Sequence, residues 1–80
     1  MRITYYPEDD VIYIDLRDKP SVESEEVSPG IVVDFDEKGA PVGIEISNAS
    51  QKVRFQDLEI INLPVSGLTL KKGRLITHED

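Results

Sequence analysis

The chain has 80 residues, a net charge of −7, no cysteine and a hydrophobic content of 39%. This length gives one small domain, and the composition is too apolar for an intrinsically disordered protein. Without cysteine, a disulfide framework and a thiolate metal site are excluded. No apolar run approaches the roughly 18 residues of a membrane span. Residues 1–10 lack the apolar segment of a signal peptide, so we expect a cytoplasmic protein.

The negative charge is concentrated in the first part of the chain. Residues 1–47 contain 12 Asp/Glu against 4 Lys/Arg, a balance of −8, whereas residues 48–80 contain 4 against 5, a balance of +1. An acidic surface repels phosphate, which disfavours nucleic acid as a partner, and it attracts a basic protein. The alternative is that the acidic residues only keep a small domain soluble.

Two short strands joined by a turn are predicted at the start of the chain. Residues 2–6 and 11–16 alternate between two sets of side chains, as strands do. Pro7 and the acidic residues 8–10 between them are typical of a turn, because proline presets φ and aspartate can bond its own backbone. The sequence therefore predicts an opening β-hairpin.

The second predicted strand has two apolar faces. Ile12, Ile14 and Leu16 share one face, while Val11 and Tyr13 share the other. The face with Val11 and Tyr13 is more apolar than a solvated antiparallel sheet requires. Either the short helix and the C-terminal strand or a second copy of the chain must cover it. We favour a homodimer, because self-association adds core area to a small domain.

A polar segment follows at residues 21–27. It reads as extended, and it contains Glu23, Glu25 and Glu26. Such a segment fits an edge strand or a loop, because charged side chains on an exposed edge discourage pairing with other molecules. Residues 28–30 then supply a turn.

The clearest signal in the chain is a central hairpin. Apolar residues alternate through residues 31–35 and 42–46, with a glycine-containing turn between them. A slip of one residue would turn one apolar set out to water, so the register is strongly constrained. The register that keeps the apolar side chains on one face pairs Ile31 with Ile46, Val33 with Ile44 and Phe35 with Val42.

The remaining residues predict one short helix and further extended segments. Asn48 and Gln51 have the spacing of a capping box, which favours a short helix near residues 48–56. Residues 58–63 have strand character, and residues 68–70 and 75–76 flank a basic turn in a last small hairpin. The predicted fold is a single mainly β (α+β) domain, residues 1–80: an antiparallel sheet built from hairpins, with one short helix.

The turn of the central hairpin resembles a calcium-binding loop, but we reject that interpretation. Asp34, Asp36, Gly39 and Glu45 match the first, third, sixth and twelfth positions of an EF-hand. Lys38, however, places an ammonium group where a ligand oxygen is needed, and the flanking segments alternate as strands rather than helices. We therefore predict no metal and no cofactor.

Asp34 and Glu45 are predicted to lie on the same outward face of the hairpin, with Gly43 opposite or near Asp34. Paired carboxylates can carry out acid–base chemistry when burial or a neighbour raises one pKa. Two acids on a sheet are more commonly solvated surface groups. Gly43 marks either a bulge or a point of close approach by another backbone.

A series of short pieces spread over residues 1–50 carries a family resemblance: Ile3-Thr4-Tyr5, Pro7-Glu8, residues 10–16, Glu25-Glu26-Val27, Gly30-Ile31, Asp34-Phe35-Asp36, Gly39, residues 42–46 and Ala49-Ser50. With these pieces, residues 1–50 resemble a family of small prokaryotic proteins known as domain of unknown function twenty-two eighty-three, whereas residues 51–80 form a variable extension. The resemblance implies no defined chemistry and no catalytic residues. Some similar proteins look like antitoxins encoded beside RNA-cleaving toxins, which implies a basic protein partner.

Our leading hypothesis is a non-enzymatic protein-binding module whose acidic surface binds a basic partner, in an antitoxin-like role. One alternative is a small carboxylate- or metal-dependent enzyme that uses Asp34 and Glu45. Another is a structural homo-oligomer without a ligand. The residues predicted to contact a partner are Glu23, Glu25, Glu26, Asp34, Asp36 and Glu45.

Overall fold

The computed structural model describes residues 1–64 and the backbone of residues 71–72 and 75–76. Its main element is a five-stranded antiparallel sheet, which is followed by one short helix. The predicted class, mainly β with an antiparallel sheet and one short helix, is confirmed. The elements are β1 (Arg2–Tyr6), β2 (Val11–Asp15), β3 (Glu23–Ser28), β4 (Ile31–Phe35), β5 (Pro41–Ser47), α1 (Ala49–Lys52), β6 (Lys71–Lys72) and β7 (Leu75–Ile76).

The strand order across the sheet is β1-β2-β5-β4-β3, so β5 lies at the centre and β1 and β3 lie at the edges. The opening hairpin forms β1 and β2, and the central hairpin forms β4 and β5. Pairing of β2 with β5 joins the two hairpins into one sheet. The last two strands, β6 and β7, pair with each other as a separate ribbon.

Aliphatic side chains, with the aromatic Tyr5 at one end, line one face of the sheet in two continuous rows, and we call this surface the aliphatic face. Directly paired residues of antiparallel strands point to the same side of a sheet, so the strand registers define each row. Most side chains in these rows are not fully buried. In the described part of the chain, the buried apolar residues are Ile12, Val42 and Ala49. The rows are Ile3–Ile14–Ile44–Val33 and Tyr5–Ile12–Ile46–Ile31.

The predicted register of the central hairpin is confirmed for two of its three pairs. Val33 pairs with Ile44 and Ile31 pairs with Ile46, but Phe35 pairs with Pro41 instead of Val42. A β-bulge between Asp34 and Phe35 causes the difference, because an extra residue of β5 is accommodated there. The Asp36 N–H donates to the Ala40 carbonyl oxygen at 2.8 Å and closes the turn tightly beyond the bulge.

The polar segment forms edge strand β3 and not a loop. All six of its residues are exposed, and among the described strands it pairs with β4 alone. A bulge interrupts its ladder between Glu26 and Ser28. Glutamates and a bulge are two devices that make a sheet edge a poor template for further pairing.

The helix is shorter than the 48–56 prediction, and the predicted capping box is wrong. Asn48 adopts a left-handed conformation, with φ 51°, and its side chain makes no capping hydrogen bond. The helix ends because Val53 is extended, with φ −125°. Asp10 of the β1–β2 turn takes over the capping role: its carboxylate Oδ1 accepts from the Ser50 N–H at 3.0 Å, and its carbonyl oxygen accepts from the Ala49 N–H at 2.9 Å.

The strand predicted at residues 58–63 is also wrong. These residues have no regular secondary structure, and Leu58 and Ile61 are about seventy per cent exposed (71% and 70%). Asn62 has φ 58°, which interrupts an extended conformation. The last predicted hairpin is present as β6 paired with β7. Its first strand is Lys71–Lys72, however, which the prediction placed in the turn, and residues 68–70 lie outside the described part. No helix among the described residues is both long enough and apolar enough to cross a membrane.

Candidate functional site

A phenol, a glycine and a carboxylate from three adjacent strands meet on the face opposite the aliphatic rows. The side chain of Tyr13 on β2 crosses the central strand β5 and reaches β4. Its hydroxyl donates to Asp34 Oδ2 at 2.6 Å. Gly43 makes this crossing possible: a Cβ atom there would lie 2.7 Å from Tyr13 Cζ and closer still to the hydroxyl oxygen. What approaches Gly43 is therefore an aromatic side chain and not another backbone. The alternative of a bulge is confirmed, because Gly43 pairs with Asp34 at the point where the register shifts.

Asp34 extends the same network to the edge of the sheet. Its second oxygen, Oδ1, accepts from the Ser24 hydroxyl of β3 at 2.6 Å. Tyr13, Asp34 and Ser24 thus connect β2, β4 and β3 through side chains, in addition to the backbone ladder. A carboxylate that accepts two short hydrogen bonds is held in one orientation.

The electrostatics around Tyr13 are strongly negative. Its hydrogen bond to Asp34, followed by burial and the charges of Asp34, Asp15 and Glu45, raises the pKa of Tyr13 to about 12. The phenol is therefore neutral at physiological pH and acts as a hydrogen-bond donor. General acid–base catalysis works best with a pKa near the working pH, so this phenol is poorly matched to such a role.

We call the surface around Tyr13 the acidic face, and the strand registers define it as two cross-strand rows. The ten positions of these rows contain four carboxylates and one cation, Arg2, which lies opposite Asp15 in the strand register at the β1 end. The central part of the face, around Tyr13, therefore carries Asp15, Asp34 and Glu45. The rows are Arg2–Asp15–Gly43–Asp34–Ser24 and Thr4–Tyr13–Glu45–Val32–Glu26.

The residues predicted to contact a partner do not form one cluster. Asp34 and Glu45 lie on the acidic face as half-buried side chains. Glu26 lies on the same face at the β3 edge, where its Oε2 accepts from the Gly30 N–H at 3.0 Å. Glu23 and Glu25 pair with Phe35 and Val33 and therefore point to the aliphatic side.

Asp36 is separated from this set because it is only 4% exposed. Its Oδ1 accepts from the N–H groups of Lys38 and Ala40, both at 2.9 Å, so it organises the β4–β5 turn. These donors, Ala40 first, lower the pKa of Asp36 although burial opposes the shift. Gly39 completes the turn with φ 82°. The calcium-like spacing thus belongs to a turn that binds its own backbone, and no described group of three acidic or histidine side chains is placed to hold a metal.

The residues predicted for packing on the second face have separate environments. Tyr13 is half-buried within the acidic network described above. Val11 is also half-buried, and it lies in a row between Tyr6 and Ser47. The face is thus more polar than the pattern of β2 alone suggested, because β5 and β4 contribute Glu45 and Asp34 to it.

A second hydrogen-bonded cluster was not predicted from the sequence. Asp10 Oδ1 accepts from the Tyr5 hydroxyl at 2.9 Å, and Asp10 Oδ2 accepts from the Ser50 hydroxyl at 2.7 Å. The Ser50 hydroxyl is the largest cause of a lowered pKa at Asp10. Asp10 has φ 56°, a conformation in which aspartate is more common than most residues. This cluster anchors α1 to the first turn.

The fold and its acidic face define a small β domain built on a single open sheet. The chain belongs to the family described as "Protein of unknown function (DUF2283)", whose model matches residues 2–50. The matched range contains all five strands of the main sheet and ends at Ser50, the residue bound by Asp10. No curated protein and no solved structure matches the chain.

Proposed function

We propose that this protein is a non-enzymatic binding module whose acidic face contacts a basic protein partner. The observation that supports this proposal best is the grouping of Asp15, Asp34 and Glu45 around Tyr13 on one half-exposed face. A flat surface with several carboxylates suits lysine and arginine side chains presented by a folded protein. Tyr13 adds an aromatic ring with a polar tip, a residue type enriched at interfaces.

The hydrogen bonds favour a binding surface over an active site. Asp34 uses both of its oxygens to hold Tyr13 and Ser24, which serves the sheet. The raised pKa of Tyr13 keeps its proton in place at neutral pH. A carboxylate-dependent enzyme using Asp34 and Glu45 is therefore the less well supported alternative.

An antitoxin-like role is the specific form of this proposal. Such a protein acts by covering the basic surface with which a toxin holds RNA, and negative charge accelerates that encounter. The setting we propose is the cytoplasm, where an RNA-cleaving toxin acts. The family membership is compatible with this role but carries no activity of its own.

The proposal is tested by capture of partners from the native organism at low and at moderate salt. A partner found in this way is purified, and its affinity is measured by calorimetry. The variant pair Asp15→Asn with Glu45→Gln removes two charges from the acidic face. We expect it to weaken binding about tenfold, and moderate salt to weaken binding of the unmodified chain.

A matched control removes the same charge elsewhere. Glu23→Gln with Glu25→Gln also neutralises two acids, but these point to the aliphatic side at the β3 edge. We expect this control to bind as the unmodified chain does. Equal losses in the two double variants, or binding that ignores salt, would contradict the proposed surface.

A further inference from the structure

The two edges of the sheet differ in chemistry. β3 carries three glutamates and a bulge, and both oppose pairing with another strand. β1 has the sequence Arg-Ile-Thr-Tyr-Tyr, with no acidic residue and no bulge in its ladder. Isoleucine, threonine and tyrosine are all favoured in strands. Within the described part of the chain, β1 is paired on one side only, with β2.

We propose that β1 pairs antiparallel with β1 of a second copy, around a two-fold axis at Thr4, so that two sheets become one continuous sheet. The contact is made by the backbone edge of β1. Arg2 and Thr4 also belong to the acidic face, but the pairing needs no basic partner, so the proposal does not depend on the proposed function. A two-fold axis perpendicular to the sheet keeps the acidic faces of both copies on the same side. Only the register centred on Thr4 then pairs all five residues of the strand.

Each cross-strand pair in this register is a favourable one. On the aliphatic side, Ile3 lies opposite Tyr5 of the other copy, an aromatic and β-branched pair. On the acidic side, Arg2 lies opposite Tyr6, where the guanidinium can rest on the ring, and Thr4 lies opposite Thr4. The strand is therefore complementary to itself.

The exposure of β1 shows what such pairing would cover. Ile3 is 56% exposed, Tyr6 is 49% exposed and Tyr5 is 42% exposed. Tyr5 is also held in place, because its hydroxyl donates to Asp10 and its ring contacts the Phe55 ring, with centroids 4.9 Å apart. A fixed side chain loses less conformational entropy when a partner covers it.

The charges of the two edge strands also favour self-pairing through β1 over self-pairing through β3. Pairing of β3 with itself would bring Glu23, Glu25 and Glu26 of two copies together, and like charges directly opposite are destabilising. Arg2 is the only charged residue of β1. Two copies that each carry a charge of −7 repel at long range. Added salt therefore strengthens the association of β1 strands, whereas it weakens binding of a basic partner.

The test is the mass of the full chain in solution, measured by sedimentation equilibrium from about 1 μM to about 1 mM, since a single edge strand gives a small and weak interface. The chain carries no N-terminal tag, because Arg2 lies in the proposed contact. We expect a monomer–dimer equilibrium that shifts toward dimer as salt is raised. A monomer at all concentrations would overturn the proposal.

Charge exchange at Thr4 tests the register. Thr4→Lys alone and Thr4→Asp alone each place like charges opposite one another, so we expect both to remain monomeric. Their equimolar mixture places opposite charges together, and we expect it to restore the dimer. Val27→Lys, at a position 53% exposed on β3, is the matched control and is expected to dimerise as the unmodified chain does.

The remaining outcomes each count against the proposal. A dimer that persists in Thr4→Lys would show that another surface associates, and dissociation by Val27→Lys would show that the contact is not confined to β1. Failure of the mixture to restore the dimer would exclude the register. Circular dichroism of every variant, compared with the unmodified chain, confirms that only folded proteins are compared.

Discussion

The hydroxyl of Ser50 donates to the carboxylate of Asp10 across 40 residues of sequence, with Oγ and Oδ2 2.7 Å apart. The same carboxylate accepts from the Ser50 N–H and from the Tyr5 hydroxyl. One turn residue therefore connects the opening hairpin, the edge strand β1 and the start of α1.

This arrangement predicts that Asp10 and Ser50 are energetically coupled. Asp10→Asn and Ser50→Ala each lower the urea midpoint of unfolding, because each removes acceptors or a donor from the same cluster. The double variant is expected to lose less than the two single losses combined. Independent, additive losses in a denaturant double-mutant cycle would contradict the coupling.

Glycine at position 43 is predicted to be required for stability only when the side chain of Tyr13 lies over it. Gly43→Ala forces the ring away from Asp34, and overpacking of this kind costs about 1–3 kcal/mol of the free energy of unfolding. In a Tyr13→Ala background the three atoms that lie nearest to the added methyl group are absent, so the same substitution is expected to cost less than about 0.5 kcal/mol. Urea unfolding of the four proteins measures the difference. A cost that is the same in both backgrounds would show that the strand backbone is responsible.

Stability is predicted to fall at high pH because of Tyr13. Its pKa is raised from 10.0 to about 12 in the folded chain. A raised pKa contributes stability that is fully present below pH 10 and is lost as pH rises toward 12. Unfolding measured across this range, with Tyr13→Phe as the control, is expected to show a steeper loss for the unmodified chain. If the two proteins lose stability equally between pH 10 and 12, a group other than Tyr13 is responsible for the loss.

Stability is predicted to fall at low pH because of Asp36 and Asp10. The pKa of each is lowered from 3.8, by backbone donors at Asp36 and by the Ser50 hydroxyl first at Asp10. A lowered pKa contributes stability that is present above 3.8 and is lost as pH falls through the folded value. Asp36→Asn keeps a turn-forming side chain without the titration, so its acid unfolding is expected to be shallower. If Asp36→Asn and the unmodified chain lose stability equally as pH falls, Asp36 does not contribute to the acid unfolding.

How far the sequence predicts the structure depends on whether the information is local. The pairs Val33–Ile44 and Ile31–Ile46 follow from alternation around one turn. The crossing of Gly43 by Tyr13 requires β2 to lie beside β5, and no local pattern specifies that neighbour. The same holds for the Asp10 cap: Asn48 and Gln51 have the spacing of a capping box, but a distant carboxylate satisfies the helix start instead.

The arrangement of the acidic site was predicted only in part. Charge counts identified the acidic front half, and alternation in the central hairpin correctly placed Asp34 and Glu45 on one face with Gly43 opposite Asp34. Period-two alternation could have separated Glu23 and Glu25 from Glu26, but it does not show which side of the sheet each set occupies. The burial of Asp36 could have been inferred from aspartate chemistry in turns, since its side chain can bond N–H groups two to four residues later.

The central position of β5 has a consequence for synthesis. Because β5 separates β2 from β4, the hairpins β1–β2 and β3–β4 belong to no common sheet until the strand ending at Ser47 has left the ribosome. Before that point the nascent chain holds two complete hairpins, whose strands β2 and β4 still lack their shared neighbour β5. A ribosome stalled earlier would therefore display the unpaired edges of β2 and β4 to chaperones, while one stalled after Ser50 has emerged would display a finished sheet.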